Sequence, residues 1–370
     1  MTTTTPGPAG AHPAGIADTP EALTPAWLTE VLTSGGHLDG TAVAAVDLRP
    51  LGTGQMCDSL RVAVTYDGPT EAPATLVAKL PAADPTSRAT AVNLRSYEKE
   101  VRFYQELAGE LPVPTPTVFH ADIEPESAAF VLLLEDLAPA EQGDQLDGCS
   151  LATARSAVDA MALLHAPRWD DAGLRDRDWL HTDDETGRAF LAALLPSLWA
   201  GFQERYAADL GPHVAPVGEA FFAHLDAYLT PTGGPLTLVH GDFRLDNLLL
   251  EPGTGAVRGV VDWQTCAVGP ALRDVAYFLG AGLLPDERRA AEEELVHRYH
   301  DGLAAAGVAD YPWERCWEDH RRGTFAGLLM AVAASMLVAR TDRGDEMFLA
   351  MASRHARHVL DLDALELLAP

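Results

Sequence analysis

Residues 238–250 read LVHGDFRLDNLLL, and they set two carboxylates, an amide, a histidine and an arginine between two apolar runs. Apolar runs indicate buried elements, so the polar groups between them must lie at the rim of a core. A further apolar run, AVRGVVDW (256–263), follows after a short turn. The pattern predicts a hairpin, with Asp242 and Asn247 on the loop entering its first strand and Asp262 at the exit of its second.

The hairpin would bring three oxygen-bearing side chains to one spot. Hard oxygen ligands suit Mg²⁺, which takes few protein ligands and completes its shell with phosphate oxygens and water. Phosphoryl transfer from ATP requires a carboxylate that orients the attacking hydroxyl, and an Asn and an Asp that hold the metal. The order D-x₄-N, followed by an Asp after an apolar strand, supplies those groups as Asp242, Asn247 and Asp262.

The rest of the chain divides into two parts of different character. Short runs rich in Val, Leu and Thr alternate with turn residues up to residue 137, with one helical pattern at 93–111. A linker is predicted near residues 135–140, and six segments beyond residue 150 have helical patterns. We therefore predict an α+β fold with a disordered tail at 1–22, a small β-rich lobe at 23–137 and a larger helical lobe at 138–370. The strand-like runs are 42–51, 59–68, 74–80, 115–123 and 128–137.

The segment HGDFRLDNLL, together with VDWQ and GPALRDVAYFL, resembles the aminoglycoside phosphotransferase and choline kinase superfamily, which has a two-lobed, protein-kinase-like fold. It is most similar to the ecdysteroid-kinase-like (CHK-kinase-like) branch, over roughly residues 24–360. By position, the resemblance implies that Asp242 is the catalytic aspartate and that Asn247 and Asp262 bind Mg²⁺. It further implies that His240 supports the loop and that Asp274 braces it.

Lys79 is the candidate phosphate-binding lysine. It ends the apolar strand TLVAK, where a charge is costly unless it is paired or used. The chain has only two lysines against 24 arginines, so a retained lysine suggests a need for a compact ammonium, although genome composition also explains the bias. The family pattern places the partner glutamate before V-x-F-Y, which selects Glu100, with Glu98 as the alternative. A surface lysine at a strand end is the other interpretation.

Two further segments are candidates for nucleotide contact. LGTGQMCDSLRV would form the loop over the phosphates, with backbone groups from Gly54 to Ser59, although it has only two glycines and an ordinary hairpin explains it nearly as well. FVLLLEDL resembles the strand that leads to the hinge between the lobes. Its backbone from Glu135 to Leu137 would meet the adenine edge, and the alternative is that its acids belong to a linker.

Charge and cysteine usage bound the class of protein. The net charge is −28, spread along the chain, which disfavours a nucleic-acid partner. Such a surface could attract a cationic substrate or could simply be well solvated. Four scattered cysteines form no CxxC pair, and the start has no secretory pattern, so we expect a cytoplasmic protein. The apolar stretch 323–339 is short for a membrane span, and a buried helix is favoured.

These observations predict an ATP- and Mg²⁺-dependent kinase that phosphorylates a hydroxyl group of a small molecule. Aminoglycoside-like, amino-alcohol and sterol- or lipid-like acceptors all remain open. The segment after Asp262 is too short for a regulated activation loop, so no protein substrate is expected. The alternative is a catalytically silent nucleotide-binding protein on the same fold. The choice between ATP and GTP and the oligomeric state are left open.

Overall fold

The computed structural model describes residues 15–52, 56–182 and 184–369. The chain divides into two compact units. The first ends at Gln105 and takes in Thr117–Asp136, and the second comprises Glu106–Pro116 and the chain from Leu137 onward. The predicted α+β class, with a β-rich amino-terminal part and a helical carboxy-terminal part, is confirmed.

The first unit is built on an antiparallel sheet of five strands. Its spatial order is β1-β2-β3-β5-β4, so β3 and β5 are central neighbours and β1 and β4 are the edges. Each strand matches an apolar run predicted from the sequence, with bounds that differ by a few residues. The strands are β1 (Val43–Pro50), β2 (Cys57–Tyr66), β3 (Thr75–Pro81), β4 (Val118–Glu124) and β5 (Ala129–Glu135).

Helices cover both faces of this sheet. Helix α1 (Pro25–Ser34) begins at a capped end, because the Thr24 side chain accepts a hydrogen bond from the Trp27 N–H at 3.2 Å and Pro25 occupies the first turn. Its apolar side packs on the face that carries Val131 and Leu133. Helices α2 (Pro85–Asn93) and α3 (Ser96–Glu106) follow β3.

Helix α3 contacts the opposite face of the sheet. The rings of Tyr97 on α3 and Phe130 on β5 lie 4.5 Å apart, centroid to centroid. Successive strand residues point to opposite faces of the sheet, so Phe130 and Val131 lie on different faces. Helix α3 therefore packs on the face opposite to the one that α1 covers. This arrangement determines which side chains of β3 meet α3.

Part of the predicted tail is ordered. Ala17 is 1% exposed, and the indole N–H of Trp27 donates to the Gly15 carbonyl at 2.9 Å. Residues 15–22, which the predicted disordered tail over 1–22 included, are thus held in part by contacts with α1. Residues 1–14 lie outside the described residues.

The second unit is mainly helical. Its helices are α4 (Leu151–His165), α5 (Glu185–Arg205), α6 (Val214–Ala223), α7 (Leu225–Leu229), α8 (Leu272–Gly282), α9 (Pro285–Ala305), α10 (Trp313–Gly323), α11 (Phe325–Leu337) and α12 (Asp342–Asp361). Helix α11 lies within the apolar stretch 323–339 that was expected to form a buried helix, and it is separated from α10 at Thr324. No described helix is long and apolar enough to cross a membrane.

Short strands in this unit place the polar segment. They are β6 (Glu141–Gln142), β7 (His181–Thr182), β8 (Thr237–Val239), β9 (Leu248–Leu250), β10 (Val257–Val260) and β11 (Ala267–Gly269). Strands β9 and β10 pair antiparallel, with Leu248 opposite Val260, as the hairpin prediction requires. Strand β8, which enters the polar segment, pairs instead with β11.

The segment Glu106–Pro116, placed in the first lobe by the sequence, belongs to the second unit. Glu106 forms an ion pair with Arg177 and accepts a hydrogen bond from the Trp179 indole at 3.1 Å. The Pro114 carbonyl accepts from the Val260 N–H at 2.8 Å. These long-range contacts have no local sequence signal, and they explain why residues 106–116 belong to the second unit and not to the first.

Several aromatic residues of α5, its carboxy-terminal cap and α6 lie in the core of this unit. One hydrophobic cluster contains them together with apolar side chains of α11 and α12. Phe222 is partly buried against that cluster. The fully clustered ones are Trp199, Phe202, Tyr206 and Phe221.

Candidate active site

Lys79 forms a buried ion pair with Glu100. Strand alternation turns Lys79 away from the face that Ala78 and Leu80 share with α1, and toward α3. Its Nζ lies 2.6 Å from Glu100 Oε1, and the two residues are 8% and 0% exposed. A buried charge needs such a partner, since an isolated one is strongly disfavoured. The two side chains proposed to act together therefore lie in contact within the first unit.

The alternative partner, Glu98, points elsewhere. Its Oε2 accepts a hydrogen bond from Arg95 Nε at 2.8 Å, at the start of the same helix. Of the two candidates, Glu100 is thus the one that meets Lys79.

Ser59 lies in strand β2 and not in a loop. It is directly opposite Lys79 in the antiparallel pairing, and its carbonyl accepts from the Leu51 N–H at 2.8 Å. Directly paired residues share a face of the sheet, so Ser59 and Lys79 lie side by side. Strand β2 begins at Cys57, two residues before the start of the strand-like run 59–68, and contact of Ser59 with phosphate stays a prediction. Gly54 lies outside the described residues.

Glu135 ends strand β5, and its side chain is engaged within the first unit. Its Oε2 accepts from the backbone N–H and the hydroxyl of Thr117, at 3.0 and 2.8 Å. Leu137 begins the second part of the other unit and is partly buried. Contact of this segment with adenine stays a prediction.

The segment between β8 and β9 carries Asp242 and Asn247 in one tight turn. Asn247 donates from Nδ2 to the Asp242 carbonyl at 2.8 Å and to Asp242 Oδ2 at 3.0 Å. The Val261 N–H donates to the Asn247 carbonyl at 3.0 Å, which extends the β9–β10 pairing by one step. Asp262 follows Val261 directly, so the hairpin brings the backbone of Asp262 close to Asn247, which contacts Asp242.

The Asp242 carboxylate accepts hydrogen bonds from three side chains. Tyr277 donates from its hydroxyl to Oδ1 at 2.6 Å. Arg244 Nε and Asn247 Nδ2 both donate to Oδ2, each at 3.0 Å. A carboxylate can accept about four hydrogen bonds, so one further donor can be accommodated. The side chain is 19% exposed, so it remains open to a partner from solvent.

Arg244 forms ion pairs with Asp242 and Asp246, each two residues away in the same turn. Burial alone would lower the pKa of the guanidinium, but the charges of Asp242 and Asp246 outweigh burial and raise it. Arg343, from the first turn of α12, lies 3.5 Å from Asp246 and 3.2 Å from Asp144. These arginines tie the loop to α12.

His240 and Asp274 hold the loop in the manner that the resemblance implied. Asp274 accepts from the backbone N–H groups of His240 and Gly241, at 2.6 and 3.0 Å. The Asp242 N–H donates to His240 Nδ1 at 3.2 Å, so Nε2 carries the proton and donates to the Val261 carbonyl at 3.0 Å. His240 therefore joins the two ends of the hairpin.

The charge of Asp274 is stabilised although the residue is fully buried. Burial raises the pKa of the carboxyl, but the hydrogen bond and charge of His165 and the bonds from the His240 segment outweigh it, and the pKa is lowered. His165 Nε2 lies 3.3 Å from Asp274, and its Nδ1 lies 2.8 Å from the Tyr299 hydroxyl. The brace is thus part of a larger buried network.

Gly241 meets a backbone requirement at the tip of this loop. Its φ of 81° lies in the left-handed region, and an added Cβ would collide with the Thr265 carbonyl oxygen. Asp262 also has a positive φ, 68°, at the exit of β10. A non-glycine residue in that region is uncommon and is often found where a side chain is held for function.

Tyr277 is one of two site residues that were not predicted from the sequence. It lies three residues after Asp274 on α8, and residues spaced by three share one face of a helix. The motif LRDVAY contained this signal, because the face that braces the loop also presents the tyrosine. Gln145 was missed as well, and its Oε1 accepts from the Leu245 N–H at 3.0 Å.

A second polar cluster lies buried among α9, α10 and α12. Glu292 Oε1 accepts from Nε2 of both His320 and His358, and these three residues are the one group of potential metal ligands found in the described part of the chain. Arg288 also pairs with Glu292 and with Asp361. The Arg288 cation neutralises the Glu292 carboxylate, and the imidazoles of His320 and His358 both bond to Glu292 directly. The cluster is therefore a hydrogen-bonded network that joins three helices.

The described geometry can be compared with known proteins. The family model described as "Phosphotransferase enzyme family" matches residues 54–317. The aminopropanol kinase associated with a microcompartment has a similar structure, with a TM-score of 0.53 and 17% identity, over 92% of this chain and 99% of that one. At this identity the likeness shows the fold alone.

Sequence matches to curated proteins are short. A segment of 49 residues is 51% identical to acyl-CoA dehydrogenase family member 10 of Mus musculus, covering 13% of this chain and 5% of that protein. A segment of 68 residues is 31% identical to an uncharacterized kinase-like protein of Caenorhabditis elegans, covering 18% of each. The chain thus matches only a small share of these relatives' lengths.

Proposed function

This chain belongs to the phosphotransferase enzyme family, and we propose that it is an ATP-dependent small-molecule kinase that transfers the γ-phosphoryl group to a hydroxyl of a small acceptor, with Asp242 as the catalytic aspartate. The observation that carries this proposal is the Asp242 carboxylate, which is held by three donors and keeps room for one more. The resemblance to the ecdysteroid-kinase-like branch stays a prediction.

Asp242 would orient the acceptor hydroxyl and accept its proton. The transition state of phosphoryl transfer is loose, so positioning of the nucleophile contributes more than strong basicity. The cationic Arg244 at 3.0 Å supports this role, because it stabilises the negative charge of the carboxylate and so favours an orienting group over a strong base.

Asn247 and Asp262 would hold Mg²⁺. Both hydrogen bonds that the Asn247 side chain makes to Asp242 use Nδ2, and its Oδ1 is the atom suited to a hard cation. Asp262 supplies a carboxylate one residue beyond the backbone bond between Val261 and Asn247. When bound, the ion would neutralise charge on the phosphates of the nucleotide.

Lys79 would bind the α- and β-phosphates, with Glu100 fixing its position. The pair is buried, so the ammonium is held in one place and the carboxylate offsets its desolvation. Ser59, opposite Lys79 on β2, would lie near the same phosphates. Gly54, Glu135 and Leu137 complete the proposed nucleotide contacts.

The acceptor would be a hydroxylated small molecule, and amino-sugars, amino alcohols and sterol- or lipid-like alcohols are the classes to test. A panel of these compounds is screened for ATP consumption in the presence of Mg²⁺, with Asp242→Asn as the inactive reference. Stimulation by one class in the wild type and not in Asp242→Asn supports the proposal. Nucleotide binding without stimulation by any class favours the silent nucleotide-binding alternative.

A further inference from the structure

Tyr277 differs from the other partners of Asp242 in its place in the chain. Arg244 and Asn247 belong to the same turn as Asp242, whereas Tyr277 lies on α8, 35 residues away. Arg244 and Asn247 both bond to Oδ2, and among the donors in the described part of the chain Tyr277 alone bonds to Oδ1. The hydroxyl therefore determines the orientation of the carboxylate about its Cβ–Cγ bond.

We infer that Tyr277 is a positioning residue of the phosphotransferase: its hydroxyl fixes Asp242 Oδ1 so that the remaining acceptor site of the carboxylate faces the acceptor hydroxyl. The inference rests on the proposed role of Asp242. The bond of 2.6 Å is short, as expected for a hydroxyl that donates to a charged oxygen.

Tyr277 keeps its proton over the working pH range. Burial raises the pKa of the phenol well above 10, and the negative charge of Asp242 raises it further, while the Arg244 cation acts in the opposite direction. The residue is 3% exposed. A phenol that stays protonated can only donate to Asp242, so its contribution is orientation and charge stabilisation, without proton transfer.

The ring of Tyr277 is supported from behind. It lies parallel to the ring of His355 on α12, with centroids 5.7 Å apart and an interplanar angle of 8°. His355 is fully buried, and Gly280 on α8 and Gly327 on α11 make room for it, because a Cβ at either position would collide with the imidazole. The wall behind Tyr277 thus prevents the hydroxyl from moving away from Asp242.

The matched control is Tyr206. It is also a buried tyrosine, 2% exposed, whose hydroxyl donates to an aspartate, Asp345, at 2.6 Å. Tyr206→Phe and Tyr277→Phe remove the same kind of bond at similar burial in the same unit. A purely structural contribution should therefore affect the melting temperature of both variants in a similar way, and only a positioning role separates their turnover.

The experiment measures turnover of Mg·ATP in the wild type, Tyr277→Phe, Tyr206→Phe and Asp242→Asn, with water as acceptor and with the alcohol panel. Tyr277→Phe should lower kcat about 10- to 100-fold, as expected for a lost hydrogen bond to a charged group, and leave the KM for ATP nearly unchanged. Tyr206→Phe should keep the kcat of the wild type.

The possible failures are distinguishable. Wild-type kcat in Tyr277→Phe, beside an inactive Asp242→Asn, would overturn the inference alone. Full activity of Asp242→Asn, or a wild type without turnover, would overturn the proposed function instead. In that case a crystal structure of Tyr277→Phe tests the positioning role by itself. An Asp242 carboxylate that has not rotated in that structure would refute the role. If Tyr277→Phe does not fold, His355→Ala replaces it and should lower kcat, whereas His355→Phe, which keeps a flat ring, should restore it.

Discussion

Lys79 Nζ lies 2.6 Å from Glu100 Oε1, between a central strand and the helix that packs on it. The pair is almost completely removed from solvent, so each charge depends on the other. A compact ammonium fits this position, and the geometry makes the difference between lysine and arginine testable.

Lys79→Arg should lose most of the phosphotransferase activity. The longer planar fork would displace either Glu100 or the phosphates, and a shift near 1 Å can reduce a rate about 100-fold. The measurement is kcat/KM for ATP with the acceptor found in the screen, together with the melting temperature, which should stay close to that of the wild type. Lys99→Arg, on the half-buried side of the same helix as Glu100, is the control. Equal activity of the two variants would remove Lys79 from the site.

Asp242→Asn should lower kcat by roughly 10²–10⁴, the range for a positioned acid or base. Binding of ATP should be nearly unchanged, because the proposed role concerns the acceptor. Single-turnover kinetics and calorimetry with ATP separate the two effects. Turnover near the wild-type rate would show that another group orients the hydroxyl.

Asp262→Asn should weaken nucleotide binding only when Mg²⁺ is present. The amide keeps the shape of the side chain but removes the charge that a hard cation requires. Calorimetry with and without Mg²⁺ gives the test, and Asp246→Asn is a useful comparison, because Asp246 is paired with Arg244 and is assigned no metal. The same Mg²⁺ dependence in Asp262→Asn as in the wild type would exclude it as a ligand.

Asp274→Ala should destabilise the protein as well as inactivate it. The change leaves the His240 and Gly241 N–H groups without their acceptor, and each unsatisfied buried donor costs about 1–3 kcal/mol. Urea denaturation should show a lower free energy of unfolding, and His240→Ala should give a smaller loss. A fully active and stable Asp274→Ala would contradict the bracing role.

Acidification should destabilise the second unit before its carboxylates are protonated. Burial lowers the pKa of His358 from 6.5 to about 4, although Glu292 acts in the opposite direction, and burial lowers the pKa of His355 well below 6.5. Between pH 6.5 and about pH 4, these two histidines bind protons in the unfolded chain and not in the folded chain. The free energy of unfolding therefore falls as the pH drops from 6.5 toward 4. The slope is roughly 1.4 kcal/mol per pH unit for each histidine.

Urea denaturation between pH 7.5 and pH 4.5 measures this slope. His358→Gln retains a donor that can face Glu292 but cannot titrate, so its slope should be smaller than that of the wild type by about one proton. An unchanged slope would show that His358 does not bind a proton on unfolding. Arg288 and His320, which also face Glu292, are left unaltered.

The sequence by itself determined the parts of the site that lie close together in the chain. Asp242, Asn247 and Asp262 are spaced by one turn and one hairpin, and strand pairing of neighbouring segments needs no information from elsewhere. Lys79 and Glu100 were also predictable, because a charge at the end of an apolar strand requires a partner, and the next amphipathic helix supplied one with the right family pattern.

Tertiary structure decided the contacts that join distant segments. Tyr277 reaches Asp242 only because Asp274 fixes α8 against the loop, and His355 comes behind the tyrosine only because two glycines leave space for it. In the same way, Trp27 orders residues 15–22, and Glu106 joins the second unit through Arg177 and Trp179. Such contacts depend on which faces pack together, and packing is a property of the whole chain that no local pattern of residue types encodes.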